Sequence, residues 1–201
     1  MVGINSAHGG LADWGLAALP GREAEFMASV EQALAYADAL GRCAVHVMGG
    51  LAGGVPRALA WDTYARNLEV AVRRAHGSGI QLLIEPLNGR DRPGYVLHSV
   101  EQAAALIDRA GLQTLKIMFD CYHVQVEEGD LVARLRRHWH KIGHIQFASP
   151  PARSEPGTGE IDYVYVFAEI DRLGWEGWVG AEYKPSSTTT DSLSWFNRAA
   201  S

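Results

Sequence analysis

The feature that most constrains this 201-residue chain is an alternation between short, continuously apolar runs and longer stretches with apolar residues at helical spacing. It occurs six times. Val2–Asn5 precedes Glu23–Leu40, where Phe26, Val30, Ala33, Leu34 and Ala37 share a face. Cys43–Met48 precedes Trp61–His76, whose stripe is Tyr64, Leu68, Ala71 and Ala75 and which Gly77-Ser78-Gly79 stops. Ile80–Pro86 precedes a helix started by Ser99, with Gln102 completing a capping box and Val100, Ala103, Ala104 and Ile107 facing inward. Leu115–Asp120 precedes a helix capped by Asp130 and running through Trp139. Ile142–Phe147 precedes a helix capped by Asp162, carrying Tyr163, Val166, Phe167 and Ile170 and ended by Gly174. Trp178–Tyr183 precedes a last short helix, Asp191–Ala200.

Strands that read as unbroken apolar runs belong to a parallel sheet covered by helices. Two architectures satisfy the pattern, a (β/α) barrel and an open doubly wound sheet. No linker or shift in composition divides the chain, so residues 1–201 read as one domain. The net charge of −5 argues against a nucleic-acid partner, which needs a concentrated basic surface. Arg134, Arg136 and Arg137 form the longest basic cluster, on a predicted helix, and read as a solvated face. No run approaches the roughly 18–20 apolar residues of a membrane span, and no signal peptide is visible at the N-terminus. Cys43 and Cys121 flank apolar runs and read as buried thiols in a reducing compartment rather than a disulfide or a nucleophile. A cytoplasmic location is expected.

In parallel α/β folds, ligands bind beyond the carboxyl ends of the strands. Polar residues gather there. Glu85 and Asp120 each close a strand, His144 and Gln146 lie two apart on one face of the next, and Glu182 stands near the end of the last. A carboxylate in an apolar strand is costly unless compensated, and three that converge repel one another. A divalent cation resolves both problems. Three carboxylates and an amide oxygen form a hard oxygen site suited to Mg²⁺ or Mn²⁺. The alternative for any one acid is an ion pair, with Lys116 or Lys184 as partner, or a helix cap. His123, in the loop past Asp120, could bond a substrate oxygen or simply be solvated. His46 reads as a satisfied core or lining histidine. Arg153, in the loop Ser149–Gly159, could clamp a substrate carboxylate or lie free at the surface. Gly157–Gly159 is not a phosphate loop, and there is no Gly-x-Ser-x-Gly elbow.

Five segments in order carry a resemblance: Glu85-Pro86-Leu87-Asn88, Phe119-Asp120-x-x-His123, His144-Ile145-Gln146, Gly159-Glu160-Ile161-Asp162-Tyr163 and Glu182-Tyr183-Lys184-Pro185. Together they resemble the hydroxypyruvate isomerase family of the xylose-isomerase-like TIM barrels. The first two occur across that superfamily; the last three are more specific to the branch. The resemblance implies a TIM-barrel-like α/β fold with six of eight units present, Val2–Asn5 resembling the third strand. It implies a divalent metal, Mg²⁺ or Mn²⁺, on Glu85, Asp120, Gln146 and Glu182, with Glu85 and Glu182 also the acid/base pair. His123 and Arg153 would orient the substrate, with Asn88 and His46 as further candidate contacts. The implied reaction interconverts hydroxypyruvate and tartronate semialdehyde. Alternatives are a 2-oxo-tetronate or other ketose/aldose isomerase or epimerase, a metal-dependent abasic-site endonuclease, and an inactive truncated barrel that binds a metal or small molecule. Two exposed sheet edges would favour pairing with another chain, and hence a homo-oligomer.

Overall fold

A computed structural model describes residues 1–196. Six strands, β1 (Gly3–Asn5), β2 (Ala44–His46), β3 (Leu82–Ile84), β4 (Lys116–Asp120), β5 (Ile142–Phe147) and β6 (Val179–Ala181), form one parallel sheet in strictly sequential order. That order decides between the two architectures. A doubly wound sheet reverses its strand order at a switch point, whereas a barrel adds each strand beside the last. The result is a curled half-barrel. Among the described residues β1 and β6 each pair on one side only.

The helices follow the sequence's own signals. Helix α1 (Glu23–Ala39) opens with Glu23 and Glu25 at its positive end and buries Phe26, Val30, Ala33 and Ala37. Helix α2 (Arg57–Ala75) buries Tyr64, Leu68, Ala71 and Ala75 as expected, but starts four residues before Trp61, directly after Pro56. Proline suits a helix start because its missing N–H would have no partner there. Helix α3 (Val100–Ala110) is capped by Ser99, whose hydroxyl accepts the Gln102 N–H. Gln102 reaches back to the His98 N–H, one residue beyond the usual capping-box position. Helix α6 (Tyr163–Arg172) is capped by Asp162, which accepts from the Val164 and Tyr165 N–H groups.

Several expectations need correction. Asp130 precedes helix α5 (Leu131–His138), but its side chain makes no cap bond; it sits at φ 50°, in the left-handed region. The segment after β4 is not a loop. It is helix α4 (Cys121–Glu127), capped by Asp120, whose Oδ1 accepts the Tyr122 N–H at 2.8 Å. His123 is therefore a helical residue. The last helix is only α7 (Thr189–Ser192) with a tight turn through Trp195; the part expected beyond Phe196 lies outside the described residues.

Cys43 and Cys121 are both buried and unpaired. The three arginines of α5 are not a basic surface. Arg134 pairs with Glu101 and Glu128, Arg137 with Glu101, and Arg136 with the buried Glu169 of α6. No helix among the described residues is long and apolar enough to cross a membrane.

Candidate active site

The carboxyl ends of β2 to β6 converge on one rim. Glu85 stands one residue past β3, Asp120 ends β4, Gln146 lies near the end of β5, and Glu182 stands one residue past β6. His144 and Gln146 share a face: the missing side chain of Gly180 on β6 would lie 3.3 Å from His144 Nε2 and 3.7 Å from Gln146 Cγ. Glu85, Asp120 and His123 are buried, and one ligand-type atom from each falls within 4.8 Å of the others.

The ion-pair alternative holds for part of this set. Arg153 Nη2 lies 2.6 Å from Glu182 Oε2 and 3.3 Å from Asp120 Oδ2, so a guanidinium bridges two of the four proposed ligands. Neither lysine plays that part; Lys116 donates instead to the His140 carbonyl at 2.9 Å. The alternative fails for the other two. Glu85 Oε1 and Gln146 Oε1 are buried with no hydrogen-bond partner. Unpartnered buried oxygens of a carboxylate and an amide, beside a second buried carboxylate, are the donor set a hard divalent cation requires. The residues fit the implied metal.

The candidate substrate contacts separate. Arg153 reaches the rim, its Cζ 5.1 Å from the centre of the Tyr122 ring. His123 is buried beside Asp120, with Nε2 3.8 Å from Asp120 Oδ2. His46 lies beneath Glu85, with Nδ1 3.2 Å from Asn5 Oδ1 and 3.6 Å from Glu85 Oε2; its Nε2 has no partner. Asn88 is fully enclosed, and its polar atoms are used by His123 and Asp91. Its side chain is thus held between His123 and Asp91. Sequence reasoning missed Asp91 and Tyr122, which join this network through a 2.7 Å bond from the Tyr122 hydroxyl. The Asn88-Gly89-Arg90-Asp91 turn was the available signal, since asparagine accepts the N–H of a residue shortly downstream.

Residues 2–199 match the xylose isomerase-like TIM barrel family. Over 198 residues the chain is 45% identical to the 2-oxo-tetronate isomerase of Cupriavidus necator, covering 96% of this chain and 75% of that protein. It is 42% identical over 191 residues to the hydroxypyruvate isomerase of Escherichia coli, covering 92% and 74%. The chain belongs to the hydroxypyruvate isomerase family. It is an isomerase-class enzyme. A crystal structure named AP endonuclease, family 2, from Brucella melitensis superposes with a TM-score of 0.92 at 37% identity, over 98% of this chain and 77% of that one.

In this isomerase-family barrel, burial governs the charge of the rim. Burial, then the nearby Asp120 and Glu182 charges, raises the Glu85 pKa well above the usual carboxylate range. Burial pushes Asp120 up to about 7, against the pull of Arg153. Burial also holds His123 down to about 3 and His46 down to about 4, so both imidazoles are neutral at ordinary pH. A carboxyl whose folded pKa is raised contributes most to stability below its unfolded pKa, and that contribution is lost as pH rises through the folded value. The cation-free protein is therefore expected to lose stability between the ordinary carboxylate range and about pH 7. Divalent-cation affinity should run the opposite way, rising through that range as protons cease to compete. Calorimetric titration with Mn²⁺ at pH 6, in two buffers of different ionisation heat, should show net proton release. Identical observed heats in the two buffers would contradict it.

The loop that carries Arg153 is tightly held. Ser149 and Ser154 exchange main-chain bonds of 2.9 and 3.1 Å, the Lys184 N–H donates to the Arg153 carbonyl at 2.7 Å, and Ser186 donates twice to Glu155 Oε1. Gly159 closes it, because a Cβ there would lie 2.0 Å from the Pro150 carbonyl oxygen. Gly159→Ala must displace backbone next to Arg153. It is expected to lower kcat/KM about a hundred-fold, since small misplacements of orienting groups cost that much. Circular dichroism should stay unchanged, and kcat/KM within three-fold of the parent would show that this closure does not position the arginine.

Proposed function

We propose that this chain interconverts hydroxypyruvate and tartronate semialdehyde by proton transfer. The observation that carries the reading is the pair of buried, unpartnered donor oxygens, Glu85 Oε1 and Gln146 Oε1, beside Asp120 and Glu182 on one rim. The names of the relatives above support the substrate class, a short hydroxy-keto acid.

Glu85, Asp120, Gln146 and Glu182 would hold the divalent ion, Mg²⁺ or Mn²⁺. Such an ion supplies Lewis acidity at the substrate's oxygens. The remaining work falls to side chains. One of Glu85 and Glu182 removes a proton from the hydroxymethyl carbon, giving an enediolate, and the other returns one to the former carbonyl carbon. The hydroxyl proton passes between the two adjacent oxygens, so the product is an isomer with no net gain or loss. His123 and Arg153 orient the oxygens and the carboxylate, and His46 Nε2 is available to a hydroxyl.

The test is turnover of hydroxypyruvate with Mn²⁺ or Mg²⁺ in D₂O, with a 2-oxo-tetronate run in parallel. Deuterium in the carbon skeleton of the product supports proton transfer. Product formed without deuterium indicates a hydride shift, and turnover of the tetronate alone moves the assignment to that substrate.

A further inference from the structure

We propose that Asn88 is a positioning residue that holds His123 as a neutral imidazole with its proton on Nε2, making His123 a hydrogen-bond donor to a substrate oxygen and not a metal ligand. Its catalytic half rests on the isomerase reading above; the tautomer does not.

A chain of obligatory donors fixes the ring. The Asn88 main-chain N–H can only donate, and it points at His123 Nδ1 from 3.0 Å. The Asn88 amide is oriented independently, because its Oδ1 accepts the Asp91 N–H at 2.8 Å. Nδ2 is therefore the atom 2.7 Å from His123 Nδ1, a second donor to the same ring nitrogen. Asp91 fixes that amide from the far side, accepting from Asn88 Nδ2 at 3.3 Å and from the Tyr122 hydroxyl at 2.7 Å. Asn88 is fully buried, so no water competes for these bonds.

Two donors on Nδ1 require that it carry a lone pair. A neutral imidazole has one ring proton, which must then sit on Nε2. Nε2 lies 3.8 Å from Asp120 Oδ2, at the edge of the carboxylate cluster. A protonated Nε2 has no lone pair for a cation, and Nδ1 faces away into Asn88. Of the compact group of Glu85, Asp120 and His123, the two carboxylates are therefore the candidate ligands. Gln146 Oε1, which has no partner, is a neutral oxygen donor that remains for an ion. What His123 offers the cleft is an N–H, suited to an oxygen that gains negative charge during enolisation.

The experiment is ¹⁵N NMR of the full chain labelled at histidine, with and without Mg²⁺, the His123 signals being assigned by their loss in His123→Gln. The expected pattern is a pyridine-like Nδ1 and a pyrrole-like Nε2 in both states; the reverse pattern would overturn the proposal. Asn88→Asp replaces the side-chain donor by an acceptor and is expected to shift the ring toward the Nδ1-protonated tautomer, against the main-chain N–H that remains. Retention of the proton on Nε2 in that variant would show that the Asn88 side chain does not set the tautomer. Mn²⁺ titration of His123→Gln separates donor from ligand: affinity within about three-fold of the parent is expected, and a loss beyond ten-fold would make His123 a ligand. An absence of isomerase turnover would remove the substrate assignment and leave these readouts intact.

Discussion

Glu85→Gln should lower kcat by about a thousand-fold or more on whichever hydroxy-keto acid the enzyme turns over. The replacement keeps the size of the side chain and one carbonyl oxygen, so the fold and the packing under the rim are preserved. It removes a buried carboxylate on the rim with an unpartnered oxygen. General acid/base groups are typically worth 10²–10⁴-fold, and this residue would lose a ligand charge as well. Glu182→Gln is the informative companion. Its side chain is about half exposed and tied to Arg153, whereas Glu85 is buried and raised in proton affinity. Environments that differ this much suit an acid and a base acting on the same carbon skeleton. The expected result is a comparable fall in kcat with KM changed little, the signature of an interaction made mainly in the transition state. Near-normal turnover by Glu182→Gln would remove Glu182 from the pair and leave Glu85 to act with another group.

The second large effect is expected at Arg153, and it has two opposite signs. The guanidinium links Asp120, which is fully enclosed, to Glu182 at the lip. Its positive charge stands where a divalent ion would otherwise balance the carboxylates. Arg153→Leu should therefore destabilise the cation-free protein. Breaking a fully buried pair costs about 3–5 kcal/mol, and the exposure of Glu182 argues for less, about 2 kcal/mol. For a chain of this length that is a fall in Tm of about 4–8 °C. The same substitution removes a competitor for Asp120 and Glu182, so Mn²⁺ should bind about ten-fold more tightly and restore most of the lost Tm. Scanning calorimetry with and without Mn²⁺ measures both quantities. A variant that is less stable but binds Mn²⁺ no more tightly would show that the arginine and the ion do not compete.

The exposed lip bears on how the barrel is completed. Beside β6, Trp178 is 73% exposed and Leu193 46%, while at β1 Met1 and Val2 are also exposed. Phe147, Phe167, Val179 and Trp195 line a shallow apolar depression along the same side. Met1, Val2 and Trp178 flank the two strands that pair on one side only among the described residues, so their exposure follows from the open edges of β1 and β6.

Much of this was legible in the residues. The six apolar runs each contain a strand, and Ile142–Phe147 matches β5 residue for residue. The other strands are shorter than their runs, because an apolar run reports burial while a strand is defined by its hydrogen bonds. Helix α4 was missed for a physical reason as well. It has seven residues, too few for a 3.6-residue period to show, and its cap is Asp120, whose Oδ1 serves the helix while Oδ2 faces the rim. One residue doing two jobs gave the sequence one signal for both.

By itself the sequence determined where the six strands and most of the helices lie, and that Glu85, Asp120, Gln146 and Glu182 stand at strand ends, since both follow from local apolar spacing and capping chemistry. Only the tertiary structure decided that the strands curl in sequential order, that Arg153 spans Asp120 and Glu182, and that Asn88 faces Nδ1 of His123. These contacts join residues roughly 30 or more positions apart. Their geometry is set by how neighbouring β-strands rotate and pack, and no local pattern of residue types encodes that rotation.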